Sequence, residues 1–219
     1  QVDQWAQDHL KNLKQTFGGG SGPTWKGRLA IIVFQDRFGY DEFNQVVNNR
    51  RAPREMIAHA VVTPTYEDAY VCLQDVGDEA THETGGLQVS LLEYLTAAYL
   101  QREGANLPDW VVRGAGLAMA QTVLRNNVYL RELEATAAQG VKAVLNPADV
   151  FADGTFSPGL TGAVGFALVK YMINNGGGAK FGAFVKALRE GRSAAEAVRS
   201  VYNADLAALG RDFLRAVAR

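Results

Sequence analysis

One cysteine in 219 residues, Cys72, leaves no possibility of an internal disulfide or a cysteine-based zinc finger. It sits in Ala69-Tyr70-Val71-Cys72-Leu73, a β-prone apolar stretch with no adjacent His or Lys to activate a thiolate, and so reads as a small core residue. There is also no basic stripe interleaved with aromatics, which argues against a nucleic-acid partner, and no polybasic membrane patch. Lysine and arginine together number 22 against 23 aspartates and glutamates, for a net charge of −1. The longest apolar runs, residues 30–34 and 95–100 among them, are far too short to span a bilayer.

Histidine is scarce too. His9, His59 and His82 are widely separated, and none has a second histidine at metal-ligand spacing. His82-Glu83 runs straight into Thr84-Gly85-Gly86, which reads as a loop or cap. No serine lies in a Gly-x-Ser-x-Gly elbow, and Gly18 to Gly22 lacks the lysine of a phosphate-binding loop and reads as a linker turn. Gly114-Ala115-Gly116 falls within a helical pattern, where small residues serve close helix packing. The chain opens on Gln1 rather than Met, as expected of one processed or excised from something longer, whose leader would already be gone.

What is present is 47% hydrophobic residues, enough to bury one sizeable core. Apolar spacing predicts a helix over 2–17, then a central strand over 28–35, rich in Ile and Val. A short helix over 40–49 would place Phe43, Val46 and Val47 on one face. Strands over 59–63 and 70–74 would be joined by a turn. Residues 87–102 are apolar nearly all round, the mark of a buried helix. Helices follow over 108–123, 128–138, 159–174, 180–189, 194–202 and 205–218, with Asn174-Asn175-Gly176-Gly177-Gly178-Ala179 stopping one of them. The expectation is an α+β fold in one domain over 1–219: a small strand-rich N-terminal lobe over about 1–86, a central buried helix, and an all-helical C-terminal lobe over 87–219.

Several stretches together carry a resemblance. Leu92-Glu93-Tyr94-Leu95-Thr96, followed by Leu107-Pro108-Asp109-Trp110-Val111-Val112-Arg113-Gly114, resembles the peptidase MA-like, gluzincin-type (zincin) metallopeptidases, whose pattern is HExxH and then PxWxxEGxA. Residues 28–43 resemble that family's opening strand and helix, with its Asp-Arg-x-x-Tyr-x-x-Phe run at Asp36, Arg37, Tyr40 and Phe43, and residues 180–191 followed by 195–197 resemble its C-terminal helical signature. The resemblance implies a zincin-like fold. In HExxH two histidines four residues apart bind zinc from one helical face, and the glutamate acts on the metal-bound water. Carried over, the two histidines fall on Leu92 and Thr96, the third ligand on Arg113, and the general base on Glu93. Leu92 has no donor atom, Thr96 is a poor neutral ligand, and Arg113 is a cation.

The resemblance therefore implies a pseudoenzyme: no catalytic set, no metal and no cofactor, only vestigial positions at Leu92, Glu93, Thr96 and Arg113. Its role would be to bind or scaffold a protein partner, as part of a larger protein or assembly. Such domains often sit in exported proteins, which implies an extracytoplasmic site. A rival reading is an active hydrolase using Glu93 with Tyr94, Tyr99 and Arg113 near one cleft, or with a metal held by other ligands. A third is that the strand over 70–74 receives a peptide by β-augmentation. A carboxylate on a buried helix needs a partner, and Arg113 is the expected one, in salt-bridge contact.

Overall fold

The computed structural model describes residues 1–18, 23–104 and 107–218, so the middle of the glycine linker, residues 19–22, lies outside the described residues. Helix α1 (Val2–Phe17) buries Ala6, His9 and Leu13, one stripe at helical spacing. Strand β1 (Leu29–Phe34) leads into α2 (Arg37–Val47), capped by the Asp36 carboxylate accepting from the Gly39 N–H at 2.9 Å. Strands β2 (Ala58–Val62) and β3 (Ala69–Gln74) follow, and then the helices α3 (Gly86–Gln101), α4 (Asp109–Val123) and α5 (Val128–Gly140). Two 3₁₀ turns precede α6 (Pro158–Arg189), α7 (Ala194–Tyr202) and α8 (Leu206–Val217). The architecture is mixed α and β, a small sheet followed by helices, as the patterning led one to expect. Helix α6 breaks at Gly177 (φ 81°, ψ 159°), inside the glycine-rich stop.

The sheet order is β1-β3-β2, with β1 parallel to β3 and β2 antiparallel to it. This corrects two expectations. β1 is an edge strand although its sequence is the more Ile/Val-rich, with Ala30 and Val33 exposed. β3 is the central strand: Ala69, Val71, Cys72 and Leu73 are buried, and both its edges are already hydrogen-bonded, so no peptide can add there. Composition marks a strand as apolar but not its place in the sheet, which non-local pairing decides.

Helix α2 holds another correction. Phe43 packs on Phe34 and Tyr70, but Val46 and Val47 are exposed, and the buried residues are Tyr40 and Asn44. A polar network draws that face inward. Tyr40 Oη and His59 Nδ1 are 2.8 Å apart, Asn48 reaches both Asn44 and His59, and Tyr70 donates to Asn48 at 2.7 Å. Satisfying these buried polar groups outweighs burial of two valines at the helix end.

Helix α3 is the core of the molecule: twelve of its sixteen residues are buried, between β2 and β3 on one side and α1 and α4 on others. Helix α4 lies close against it because Gly116 has no side chain; a Cβ there would come within 2.7 Å of the Glu93 carbonyl. Gly114 likewise faces the backbone of Gly165 in α6, so these small residues serve packing. Among the described residues no helix is long and apolar enough to cross a membrane.

Leu95 is fully buried in α3. Leu95→Ala should therefore cost about 2–5 kcal/mol in a denaturant titration, as expected for an unfilled core cavity; a loss well below 1 kcal/mol (roughly the cost of a surface change) would count against the central place of α3.

Candidate functional site

The positions singled out by the resemblance lie on α3 and α4, and the structure assigns each a different surrounding. Leu92 is 1% exposed and belongs to the apolar core. Thr96 is fully buried, and its hydroxyl donates to the Leu92 carbonyl at 2.7 Å, the residue one turn earlier. With its proton committed, Oγ1 is left as an acceptor, and His9 Nε2 of α1 lies 2.8 Å away and must supply the hydrogen. That fixes the His9 tautomer with Nε2 protonated and leaves Nδ1 a buried lone pair with no partner. Burial pushes the His9 imidazole down to about 4, with the Leu92 carbonyl opposing, so the ring is neutral at physiological pH.

Nothing local in the sequence pairs His9 with Thr96, 87 residues away. The one usable signal is that His9 shares a helical stripe with Ala6 and Leu13, which places it on a buried face without saying what it meets there.

Glu93 is half-buried and, among the described residues, forms no hydrogen bond or ion pair. Burial pushes its carboxyl up to about 7; Arg113 lowers it and Asp109 raises it further. The expected salt bridge to Arg113 is absent. The Arg113 guanidinium instead donates from Nη1 to the Pro158 carbonyl at 2.9 Å. It lies over Gly162, where a Cβ would be 2.8 Å from Nη2, so the missing side chain opens the path to the start of α6. Arg113 acts on Glu93 through space rather than by contact. Tyr94 and Tyr129 complete the group: burial raises both phenols, Glu93 raises them further, and Arg113 opposes. Tyr99 is not among them. Its ring is 1% exposed and its hydroxyl donates to the Gly18 carbonyl at 2.9 Å, on the side of α1.

The donor set does not fit zinc. Of the three positions one is hydrocarbon, one is a hydroxyl already engaged as donor and acceptor, and one is a guanidinium held by a carbonyl. Among the described residues no group of three or more His, Cys, Asp or Glu side chains is placed to hold a metal ion. His59 is taken up by Tyr40 and Asn48, and His82 lies exposed in a loop 3.0 Å from Glu132. Burial pushes the Cys72 thiol up to about 12, which leaves it inert. The structure thus places Glu93 and Arg113 in one neighbourhood and turns Thr96 away to α1. No protein-family model matches the chain, and no curated protein is significantly similar to it.

Two pH effects follow. For His9 the folded pKa, about 4, lies below the ordinary imidazole value of 6.5, so between them the folded state binds fewer protons than the unfolded chain. Its contribution is complete above pH 6.5 and is lost as the pH falls towards 4, by about 3 kcal/mol in all. Denaturant titrations across that window should show a flatter slope for His9→Leu than for wild type.

Glu93 has the opposite sign. Its value is raised from 4.5 to about 7, so the folded state binds more protons in that interval, and stability is lost as the pH rises through it. Glu93→Gln should be close to neutral in acid and stabilising above neutrality by roughly 1–3 kcal/mol, the partial exposure of the residue reducing the figure. Equal effects at both ends of the pH range would show that the carboxyl is not desolvated.

Proposed function

We propose that this chain is a zincin-type metallopeptidase domain that has lost its metal ligands and serves as a non-catalytic module for binding or scaffolding a protein partner, in an extracytoplasmic setting. The observation that carries the reading is the state of Thr96. At the position of the family's second histidine, the hydroxyl is bound into the Leu92 carbonyl and His9, and the residue is fully buried. A polar group so satisfied holds two helices together and offers nothing to a metal or a substrate. Leu92 and Arg113 support the same conclusion by their chemistry, since neither a hydrocarbon nor a guanidinium ligates zinc. Glu93 persists, but in a zincin the glutamate works on water activated by the metal.

A specific observation favours a second reading. A carboxyl near neutrality beside Arg113, Tyr94 and Tyr129 has the properties of a general acid or base, so a hydrolase that uses Glu93 without the family's metal set is the rival.

Zinc titration calorimetry on wild-type protein, joined to a quenched peptide library assayed with added zinc, separates the two. The module reading expects no stoichiometric high-affinity zinc and no cleavage. Tight zinc binding, or cleavage that Glu93→Gln abolishes, would replace it with the hydrolase reading.

A further inference from the structure

One open groove shares no lining residue with the Glu93–Arg113 neighbourhood. It has a volume of about 770 Å³ and runs between the C-terminal end of α1, the end of α4, and the facing sides of α5 and α6. Four charged side chains line it: Arg125, Arg131, Lys170 and Glu134. Lys170 and Glu134 form an ion pair, and Gln121 donates to the same carboxylate oxygen at 2.9 Å. Burial alone would raise the Glu134 carboxyl, but the hydrogen bonds from Lys170 and Gln121 hold it below the ordinary carboxylate range, so this pair is charged and internally neutralised.

That leaves Arg125 and Arg131. Both are exposed, and among the described residues neither guanidinium has a hydrogen-bond or ion-pair partner. The groove therefore has a positive excess of two guanidinium groups on a chain whose net charge is −1. The groove contrasts in this with the one beside α2. There Arg37, Arg51 and Arg54 stand against Asp41 and Glu42, an excess of one rather than two, and Arg37 is consumed by Asp41 and by the carbonyls of Ala52, Pro53 and Met56.

Shape narrows the choice of ligand. The groove meets a second depression of about 280 Å³ with which it shares Glu134, Lys170 and Asn174, and which reaches Val217 of α8. Small-molecule sites are concave and bury most of their ligand; a trough open along its length suits a segment of chain laid across it. Met119 and Ile173 give the lining apolar contact for side chains, while Gln15 and Asn174 offer amides to a peptide backbone. Guanidinium forks match carboxylates in two parallel hydrogen bonds, a fit that lysine does not reproduce.

We infer that this groove is the docking site for an acidic, extended segment of a protein partner, with Arg125 and Arg131 receiving its carboxylates. The inference rests on the binding-module reading and deepens it by giving the partner's chemistry.

The test is fluorescence anisotropy with a short labelled peptide alternating glutamate and leucine, and with its counterpart in which lysine replaces glutamate. The acidic peptide should bind saturably and weaken with added salt, and the lysine peptide should not bind. The Arg125→Glu/Arg131→Glu double variant, confirmed folded by circular dichroism, should bind roughly tenfold or more weakly. Arg51→Glu, in the groove beside α2, should leave binding unchanged. Because both arginines are exposed, the milder Arg125→Gln and Arg131→Gln variants give partial losses that do not depend on charge reversal. No saturable binding, equal binding of the lysine peptide, or an unaffected double variant overturns the inference. Mass spectrometry of the peptide after incubation keeps the two readings apart: cleavage would sink the non-catalytic module, whereas binding lost in the double variant would still support the groove.

Discussion

Burial of α3 on nearly every face is the constraint on which the rest of the molecule depends. The helix meets the sheet through β2 and β3, α1 on a second side and α4 on a third. A helix enclosed in this way gains from apolar contact along its length, and each polar group on it must find a partner inside the protein or change its protonation state. Thr96 takes the first course, closing onto its own helix and onto His9. Glu93 takes the second, its carboxyl pushed up to about 7. The two residues are three positions apart on one helix, and the difference between them is set by what packs against each.

Leu92, Thr96 and Arg113 are each taken up by the packing around them. Leu92 is part of the apolar core, and Thr96 anchors α1 through His9. Arg113 leans away over Gly162 to the beginning of α6, where it joins two helices rather than neutralising Glu93. The positive field of the guanidinium lowers the Glu93 carboxyl even without contact.

Charge on the surface is arranged differently from charge in the core. The Lys170–Glu134 pair with Gln121 is closed on itself, while Arg125 and Arg131 at the same groove are not. Solvated ion pairs contribute little to stability, so the open arginines cost the fold little and remain available for recognition. The groove is made by four helices that come together only in the folded chain, and its lining residues extend from Gln15 to Ala179.

The sequence by itself determined what depends on local pattern. The apolar run of α3, the helical stripe of α1 and the glycine stop at Gly177 are all legible, because helix periodicity and stop signals are read over a few residues. The burial of Cys72 and the packing role of Gly114 and Gly116 follow from the same short-range logic. Only the tertiary structure decided which strand is central, because strand order depends on pairing across the chain: Ile-rich β1 lies at the edge and β3 in the middle. It also decided that Val46 and Val47 face solvent, since the network from Tyr40 through His59 and Asn48 to Tyr70 turns α2 the other way. At the candidate site the sequence placed Glu93 and Arg113 near each other but had no means to see Pro158 competing for the guanidinium, or His9 waiting for Thr96. Hydrogen bonds between residues 45 and 87 positions apart leave no local periodicity, and only the packing of α1, α3, α4 and α6 brings those atoms within reach.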